Sequence, residues 1–321
     1  MSNKIAVVGP IPRDTIITHN GETIKKYGCV SHPTIALAKL MAPSGEVIPI
    51  SNVHKKDHEA ITNLFEDYPN INTQGVSSDA DAGTIINLKF IDQNNRIESQ
   101  ESRMKPIDAA DVNPFLDSDC FVFVPITDFE IDLNALRHIK ENSTAKIVFD
   151  AHGPTSYVDT EGSRLRCYWQ DKDDWLPYID VLKMNLEESL CCWFDMDYSS
   201  EEFYDENNTA HLDDFATYII NKGVEHLFIT LDSRGCVVYT KTADGFKKEF
   251  VKSVPVNEVI DTTGCGDSFA GGLAYGFAVH NDPIKAAQYA NVLGARRTQG
   301  KDFSVFKSLP ETEAIIAENY S

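Results

Sequence analysis

Hydrophobic and polar residues follow two different patterns along this chain, and each pattern predicts a different kind of element. Residues 4–8 (KIAVV) form a short apolar run that ends at Gly9-Pro10, which is typical of a buried strand followed by a turn. After residue 118, apolar runs alternate with segments of helical spacing, beginning with CFVFVPI, DLNALRHIKEN and KIVFDA and reaching HLFITLD. This alternation predicts a mostly parallel sheet that carries helices on both faces.

Two stretches with mixed polar and apolar alternation predict β-hairpins outside that sheet. TIITH and ETIKKY flank Asn20-Gly21, a strong turn signal, and GTIINLKFID and RIESQES flank Asn94-Asn95. Alternation of this kind suits a small sheet with one solvated face, so we interpret the hairpins as a lid. HPTIALAKLMA and DHEAITNLFEDY, between the hairpins, have helical spacing, and residues 155–178 are interpreted as a long loop or insertion.

The charge balance narrows the range of partners. The 321 residues include 29 basic and 49 acidic ones, a formal net charge of −20, which argues against nucleic acid or an anionic membrane surface as a partner. The seven cysteines form no C-x-x-C pair, so neither a zinc site nor a disulfide framework is expected. Because the sequence shows neither a leader pattern nor a long apolar window, we expect a cytoplasmic protein with reduced thiols.

The segment DTTGCGDSFAGG, from Asp261 to Gly272, carries the strongest chemical signal. Gly264 and Gly266 allow backbone N–H groups to converge, and a helix that starts directly after them adds its positive end. The segment lacks the third glycine of a dinucleotide fingerprint and the lysine of a Walker A loop. One interpretation is an anion site, and the other is close helix packing through the later glycines. We expect a strand over FVKSVPVNEVI to lead into it, which would place it at the binding edge of the sheet.

Phosphoryl transfer requires the chemistry that this segment offers. The reaction needs a positioned phosphate, stabilisation of its charge, and a carboxylate that accepts the proton of the attacking hydroxyl. Backbone N–H groups of Gly264, Cys265 and Gly266 could stabilise the charge, and Asp267 at the start of the helix could act as the base. One short segment would therefore supply two of the three requirements.

With these residues the chain resembles the ribokinase or PfkB family of carbohydrate and nucleoside kinases, whose signature is similar to D-T-x-G-A-G-D. The resemblance covers nearly the whole chain and implies a ribokinase-like three-layer α/β/α sandwich with a small β-sheet lid. It implies one kinase domain over residues 1–321, with lid strands at about 14–32 and 83–105 inserted in it. It further implies that Asp267 is the catalytic base and that the backbone from Gly264 to Asp267 is the anion hole, with a cysteine replacing the usual alanine.

The resemblance also assigns residues to ATP, the phosphoryl donor, and to Mg²⁺. Asn185 and Glu188 match an N-x-x-E pattern that holds Mg²⁺ and phosphates largely through water, although Asn185 also suits a helix N-cap. ITLDSRG resembles a nucleotide-binding segment that includes Thr230, Arg234 and Gly235, with an aspartate where the family has glycine.

Three further positions match the family less specifically. Asn291 in YANVLGA corresponds to a residue that lines the adenine pocket, or is a polar residue on a solvated helix face. Asp261 and Thr263 resemble a monovalent-cation site, which implies K⁺ as an additional cofactor.

Substrate-binding residues are implied near the first hairpin. Asp14 in GPIPRDTI resembles the aspartate that binds acceptor hydroxyls. YGCVSH matches the family's G-G-x-x-x-N segment, because Gly28 is retained, a tyrosine replaces the other glycine and His32 takes the asparagine position. His32 could bind a sugar hydroxyl or an anion, or have a packing role only. Arg13 and Arg103 are candidates for binding a phosphate or carboxylate of the acceptor.

These features predict an ATP-dependent phosphotransferase that phosphorylates an alcohol group of a small sugar or sugar-like acceptor. Two alternatives stay open: a nucleoside kinase of the same family, and a non-catalytic regulatory protein that binds ligands on this fold. Resemblance to the family also implies a homodimer formed through the lid, and no nucleic-acid or membrane partner is expected.

Overall fold

The computed structural model describes residues 3–18, 20–91, 96–198 and 204–320. Within these residues the strands are β1 (Lys4–Val8), β2 (Arg13–Ile17), β3 (Thr23–Tyr27), β4 (Glu46–Asn52), β5 (Val76–Ser77), β6 (Ile85–Phe90), β7 (Arg96–Ser102), β8 (Cys120–Phe123), β9 (Lys146–Asp150), β10 (Ser156–Val158), β11 (Arg164–Arg166), β12 (Val181–Asn185), β13 (His226–Thr230), β14 (Gly235–Thr242) and β15 (Gly245–Lys252). The helices are α1 (Ser31–Met41), α2 (Lys55–Leu64), α3 (Ala109–Val112), α4 (Leu133–Asn142), α5 (Lys172–Trp175), α6 (Leu186–Trp193), α7 (Leu212–Asn221), α8 (Cys265–His280), α9 (Pro283–Arg297) and α10 (Leu309–Tyr320).

The central sheet contains nine strands of the described residues, in the order β15-β14-β13-β12-β9-β8-β1-β4-β5. All neighbouring pairs from β5 to β13 are parallel, whereas β14 and β15 are antiparallel. Ile5 and Val7 of β1 join an apolar cluster on one face of the sheet, and Ala6 and Val8 join the cluster on the other face. Because both faces are buried, the strand is a continuous apolar run rather than an alternating one.

Helices cover both faces of this sheet. α1, α8 and α9 pack on one face, and α4, α6 and α7 pack on the other. α8 and α9 lie very close together, because a Cβ atom at Gly272 or Gly276 would lie 2.4 or 2.3 Å from the Cα atom of Ala290 or Ala286. The helix-packing interpretation of the later glycines is therefore confirmed, and so is the three-layer α/β/α sandwich.

A separate four-stranded sheet, in the order β3-β2-β6-β7, has the form expected of the lid. Ile16 of β2 and Leu88 of β6 are register partners and both are buried, whereas Ile17 and Lys89, one residue further along each strand, are exposed. This is the one-sided burial that the alternation predicts. The turn expected at Asn94-Asn95 lies outside the described residues. Residues 28–32, expected within the lid, instead lead into α1.

Two predictions of secondary structure are wrong. The strand expected over FVKSVPVNEVI ends at Lys252 and is an antiparallel edge strand, so a loop leads into α8. Pro255 has no N–H group for a ladder, and Val259 and Ile260 are exposed. Residues 155–178 are not one long loop, because they contain the β10–β11 hairpin and α5, with Trp169 buried in the core. No helix of the described residues has the length and apolar character needed to cross a membrane.

Candidate active site

The turn before α8 is shaped by a glycine that no other residue could replace without strain. Gly264 precedes α8 with a left-handed backbone, φ +82°, and a Cβ atom there would lie 2.3 Å from the ring of His32. The 16-residue helix then begins at Cys265 and carries Asp267 in its first turn. Its N-terminal N–H groups and its dipole therefore favour negative charge at this turn. Burial raises the pKa of the Cys265 thiol, which argues against a thiolate role for this residue.

Asp267 is crowded by protein atoms and retains only partial access to solvent. The Cys29 Sγ atom lies 3.8 Å from its Oδ1 atom. Burial raises the pKa of Asp267 to about 6, against the opposing effects of the Lys183 ammonium and the Cys29 thiol. A carboxylate with this pKa is ionised at neutral pH and accepts a proton more readily than an ordinary aspartate does.

The expected acceptor residues converge beside this base. Asp14 of β2 is 4% exposed, and burial raises its pKa to about 7. A Cβ atom at Gly28 would lie 2.4 Å from Asp14 Oδ2 and 3.9 Å from His32 Nε2, so glycine is required where these side chains approach. Cys29 follows directly and contacts Asp267. Residues about 250 positions apart in the sequence thus form one site at the start of α8.

His32 is held in one tautomer and is neutral. Its Nδ1 atom accepts a hydrogen bond of 3.0 Å from Nε of Arg297, so the ring proton resides on Nε2. Burial, together with Arg297 and Lys26, holds the pKa of His32 well below its usual value. The buried Nε2 atom has no hydrogen-bond partner among the described residues. A donor of this kind, beside Asp14, fits an acceptor hydroxyl better than it fits a packing role alone.

Asp261 organises the segment that precedes the turn from Gly264 to Asp267, which we name the anion turn. Its Oδ2 atom accepts hydrogen bonds from Lys26 of β3 at 3.0 Å and from Arg297 of α9 at 2.8 Å. Its Oδ1 atom accepts a hydrogen bond from the backbone N–H of Thr263 at 2.9 Å. Burial opposes ionisation, but these partners hold the pKa of Asp261 below its usual range. Two cations already neutralise this carboxylate, so K⁺ at Asp261 and Thr263 stays a prediction.

Lys183 is a site residue that the sequence interpretation missed. It lies on β12, is 4% exposed, and donates a 2.7 Å hydrogen bond to Asp150 Oδ2 of the neighbouring β9. A Cβ atom at Gly266 would lie 3.2 Å from Lys183 Nζ, so the ammonium lies against the anion turn. The available signal is the single charged residue inside the otherwise apolar strand VLKMN.

Asn185 and Glu188 form the start of α6. Asn185 Oδ1 accepts from the backbone N–H of Glu188 at 2.7 Å, and Glu188 Oε2 accepts from that of Asn185 at 2.8 Å, a complete capping box. Glu188 Oε1 also accepts from His152 Nδ1 at 2.8 Å. The N-cap interpretation of Asn185 is confirmed. No cluster of three or more metal-ligating side chains occurs in the described ranges. The role of Asn185 and Glu188 in holding Mg²⁺ through water therefore stays a prediction.

The expected nucleotide residues surround the end of the sheet next to α9. Thr230 of β13 pairs in register with Asn185 of β12. Gly235 has φ +126°, and a Cβ atom there would lie 2.2 Å from the carbonyl oxygen of Val251. Asn291 is buried and donates to the carbonyl of Lys252 at 3.0 Å, so it is not on a solvated helix face.

Arg234 is the least integrated of these nucleotide residues. Its side chain is exposed and donates to the carbonyls of Glu206 and Leu231, outside the anion turn. Its role in nucleotide binding stays a prediction.

A cavity of about 220 Å³ lies beside α9, and Val292 in its lining directly follows Asn291 in the sequence. The loop after β15, α9 and α10 provide its lining, which is Val254, Pro255, Val292, Ala295, Arg296, Gln299, Ile315, Glu318 and Asn319. Its mixed polar and apolar lining is suited to a small heterocycle.

Two arginines predicted to bind an acceptor anion are engaged elsewhere. Arg13 pairs with Asp57 at 3.1 Å, and Arg103 stacks on Phe129 and donates to the carbonyl of Val158. The structure brings a different arginine, Arg164, into the electrostatic environment of the site.

Arg164 lies on β11, within the segment that the sequence interpretation left as an insertion. It pairs with Glu98 of the lid strand β7 at 2.7 Å and donates to His152 Nε2 at 3.0 Å. Its charge lowers the pKa values of both Asp14 and Asp267 against the effect of burial. The β10–β11 hairpin therefore packs against lid strand β7, on the side of the site that contains Asp14 and Asp267.

Comparison with known proteins agrees with this geometry. The family model described as pfkB family carbohydrate kinase matches residues 56–304. A curated relative, 2-dehydro-3-deoxygluconokinase of Bacillus subtilis (strain 168), is 33% identical over 84 residues, which are 26% of this chain and 25% of the relative. The matched part thus spans about a quarter of that relative's length.

Solved structures share the fold over almost the entire chain. Ribokinase of Arabidopsis thaliana, complexed with ribose and ATP, has a TM-score of 0.74 at 14% identity and covers 98% of this chain and 99% of its own. A pyrophosphate-dependent kinase of the ribokinase family, complexed with a pyrophosphate analogue and myo-inositol, has a TM-score of 0.71 at 16% identity, covering 97% and 99%. Since the family model matches more than half of the residues, this chain belongs to the PfkB family of carbohydrate kinases.

Proposed function

We propose that this carbohydrate kinase transfers the terminal phosphoryl group of ATP to an alcohol group of a small sugar or sugar-like acceptor. One observation carries the proposal: the carboxylate of Asp267 shares a single site with the buried Asp14 and with the Nε2–H donor of His32. In the proposed reaction Asp14 and His32 orient the acceptor, and Asp267 accepts the proton of the attacking hydroxyl. The backbone N–H groups from Gly264 to Asp267 stabilise the transferring phosphoryl group.

The donor would lie along the C-terminal half of the chain. In this arrangement the phosphates reach the N-terminus of α8 and the adenine occupies the 220 Å³ cavity near Asn291. Mg²⁺ bound with ATP would neutralise part of the phosphate charge, and Asn185 and Glu188 would hold its water shell. Both side chains have oxygen atoms suited to a hard cation, although their capping box limits them to contacts through water.

The acceptor would lie between the sheet edge, the lid and the β10–β11 hairpin. Closure of this space excludes water, which limits the hydrolysis of ATP when no acceptor is bound. Arg164 is paired with Glu98, and Arg13 is paired with Asp57. These pairs favour a neutral polyhydroxy acceptor over one with several negative charges.

The test is donor consumption across a panel of acceptors. ADP release from ATP and Mg²⁺ would be measured with free sugars, sugar acids, sugar phosphates and nucleosides, and phosphate transfer from pyrophosphate would be followed in parallel. We expect one sugar or sugar-like acceptor to stimulate ADP release at least tenfold over the acceptor-free rate, because a complete site is formed only when the acceptor is bound.

Each other outcome identifies a different function. Stimulation by a nucleoside alone would assign the chain to nucleoside phosphorylation. Turnover with pyrophosphate but not with ATP would show that pyrophosphate, and not ATP, is the phosphoryl donor. ATP binding without turnover on the whole panel would contradict the proposal and favour the regulatory alternative.

A further inference from the structure

The Lys183–Asp150 pair is buried where a charged pair is costly. Lys183 is 4% exposed and Asp150 is 3% exposed, and they lie on adjacent strands of the central sheet as register partners. Removing two charges from water opposes folding, and their mutual attraction compensates for this only when their remaining hydrogen bonds are also made. A hydrophobic pair of the same volume would suit this strand at least as well, so the charges call for a chemical explanation.

The position of the Lys183 ammonium supplies a chemical explanation for the buried charges. Lys183 Nζ would lie 3.2 Å from a Cβ atom at Gly266, the central residue of the anion turn. The ion pair with Asp150, at 2.7 Å, stabilises the positive charge of Lys183 in this buried position. An ammonium has three N–H donors, and the hydrogen bond to Asp150 occupies one of them.

We propose that Lys183 is a catalytic residue whose ammonium contacts the transferring phosphoryl group beside the backbone N–H groups of the anion turn. This inference rests on the proposed function and adds a charged side chain to it. Phosphoryl transfer spreads negative charge over the equatorial oxygens, and a fixed positive charge in a water-poor site stabilises that charge without reorganisation. Asp150 holds the ammonium in place, and Gly266 keeps the path from Nζ to the phosphoryl group free of a side chain.

The first test is Lys183→Met, which keeps the length of the side chain and removes its charge. Because Asp150 would then be buried without a partner, the double variant Lys183→Met with Asp150→Asn removes both charges together. Lys183→Arg keeps the positive charge. Lys172→Met is a matched control, because Lys172 is likewise buried, at 6% exposure, but its ammonium contacts Tyr168, Trp169 and Tyr218, which do not belong to the candidate site.

Two readouts are needed. Isothermal titration calorimetry with inorganic pyrophosphate and EDTA reports anion binding without metal or turnover, and steady-state kinetics with the acceptor found above reports kcat. We expect both Met variants to bind pyrophosphate about tenfold more weakly or worse and to lose about 10²- to 10³-fold in kcat. Lys183→Arg should retain most of the binding, and Lys172→Met should match the wild type.

The outcomes separate this inference from the proposed function. A folded double variant that binds pyrophosphate as the wild type does would overturn the role of Lys183, and so would a wild type that binds no pyrophosphate. If the wild type shows no acceptor-dependent turnover, the proposed function fails, yet the calorimetric comparison still decides whether Lys183 binds the anion.

Discussion

At the scale of the residue, Asp267 is subject to opposing influences on its ionisation. Burial raises its pKa, whereas Lys183 of β12, the Cys29 thiol before α1, Arg164 of β11 and Arg297 of α9 favour the carboxylate. The resulting pKa of about 6 leaves the proposed base ionised at neutral pH. The same carboxylate is basic enough to accept a hydroxyl proton in the transition state, which is the compromise that general-base catalysis requires.

This environment predicts how the rate depends on pH. We expect kcat/KM for the acceptor to fall as the pH drops, first near 7 as Asp14 is protonated and then through about 6 as Asp267 is protonated. Initial rates between about pH 5 and pH 8 at constant ionic strength would measure this. In Asp14→Asn the fall in kcat/KM near pH 7 should disappear, whereas the fall near pH 6 should remain. A profile that stays flat down to about pH 5 would contradict the role of Asp267 as the base.

Residue roles could be predicted from the sequence only where the chemistry is local. Asp267 and Gly264 lie three positions apart, so the sequence shows their relation directly. Lys183 and Arg164 reach the site only after β9, β12 and the β10–β11 hairpin have folded, and no spacing in the sequence encodes that approach. His32 was predicted through resemblance, but its tautomer depends on Arg297, which lies 265 residues away.

At the scale of the element, the lid and the anion turn are directly connected. Lys26 of β3 donates to Asp261 at 3.0 Å, just before α8, and the same carboxylate holds Arg297 of α9. Lys26 and Asp261 are mostly shielded from solvent, with side chains 15% and 19% exposed, so their attraction is screened less than that of a surface pair. A movement of β3 would therefore be transmitted to the segment that leads into the turn before α8.

Lys26→Met should weaken this connection without disturbing the fold. We expect KM for the acceptor to rise about 3- to 10-fold, since a pair of this kind contributes roughly 1 kcal/mol, and ATP hydrolysis without acceptor to increase because the lid closes less completely. Steady-state kinetics and ADP release in the absence of acceptor measure the two effects. Lys25→Met is the control, because Lys25 is the adjacent, exposed lysine of the same strand. Equal kinetics for the two variants would count against a connection between the lid and the turn before α8.

The elements themselves were predictable where burial is periodic. β1, β8, β9, β12 and β13 follow from apolar runs, and α4 and α7 from helical spacing. The end of β15 was not predictable, because Val254, Val256 and Val259 continue the apolar pattern into a loop. β10 and β11 have only three residues each, too few to show any period.

At the scale of the whole molecule, the lid exposes apolar side chains that a monomer would leave in water. Ile17, Ile91 and Ile97 of the lid region are 38%, 64% and 57% exposed. A surface of this kind is typical of a contact between proteins, and lid pairing in a homodimer would bury it. The strongly negative net charge of −20 opposes association, so a dimer would require such an apolar contact.

We expect the protein to be a dimer with twice the mass of one chain when measured by light scattering after gel filtration. Ile97→Lys should shift the mass to that of a monomer, since a charge would be buried in the contact without a partner. Val279→Lys is a control, because Val279 is 40% exposed at the end of α8, away from the lid. A wild type that elutes as a monomer over the micromolar range would contradict the dimer.

The central claim is transfer of a phosphoryl group with Asp267 as the base, and direct detection of the phosphorylated acceptor tests it best. Phosphorus NMR or mass spectrometry would follow product formation from ATP and the stimulating acceptor, comparing the wild type with Asp267→Asn at equal concentration. We predict stoichiometric phosphomonoester in the wild type and a rate reduced about 10²- to 10⁴-fold in a folded Asp267→Asn. Product formed by the variant at the wild-type rate would contradict the account.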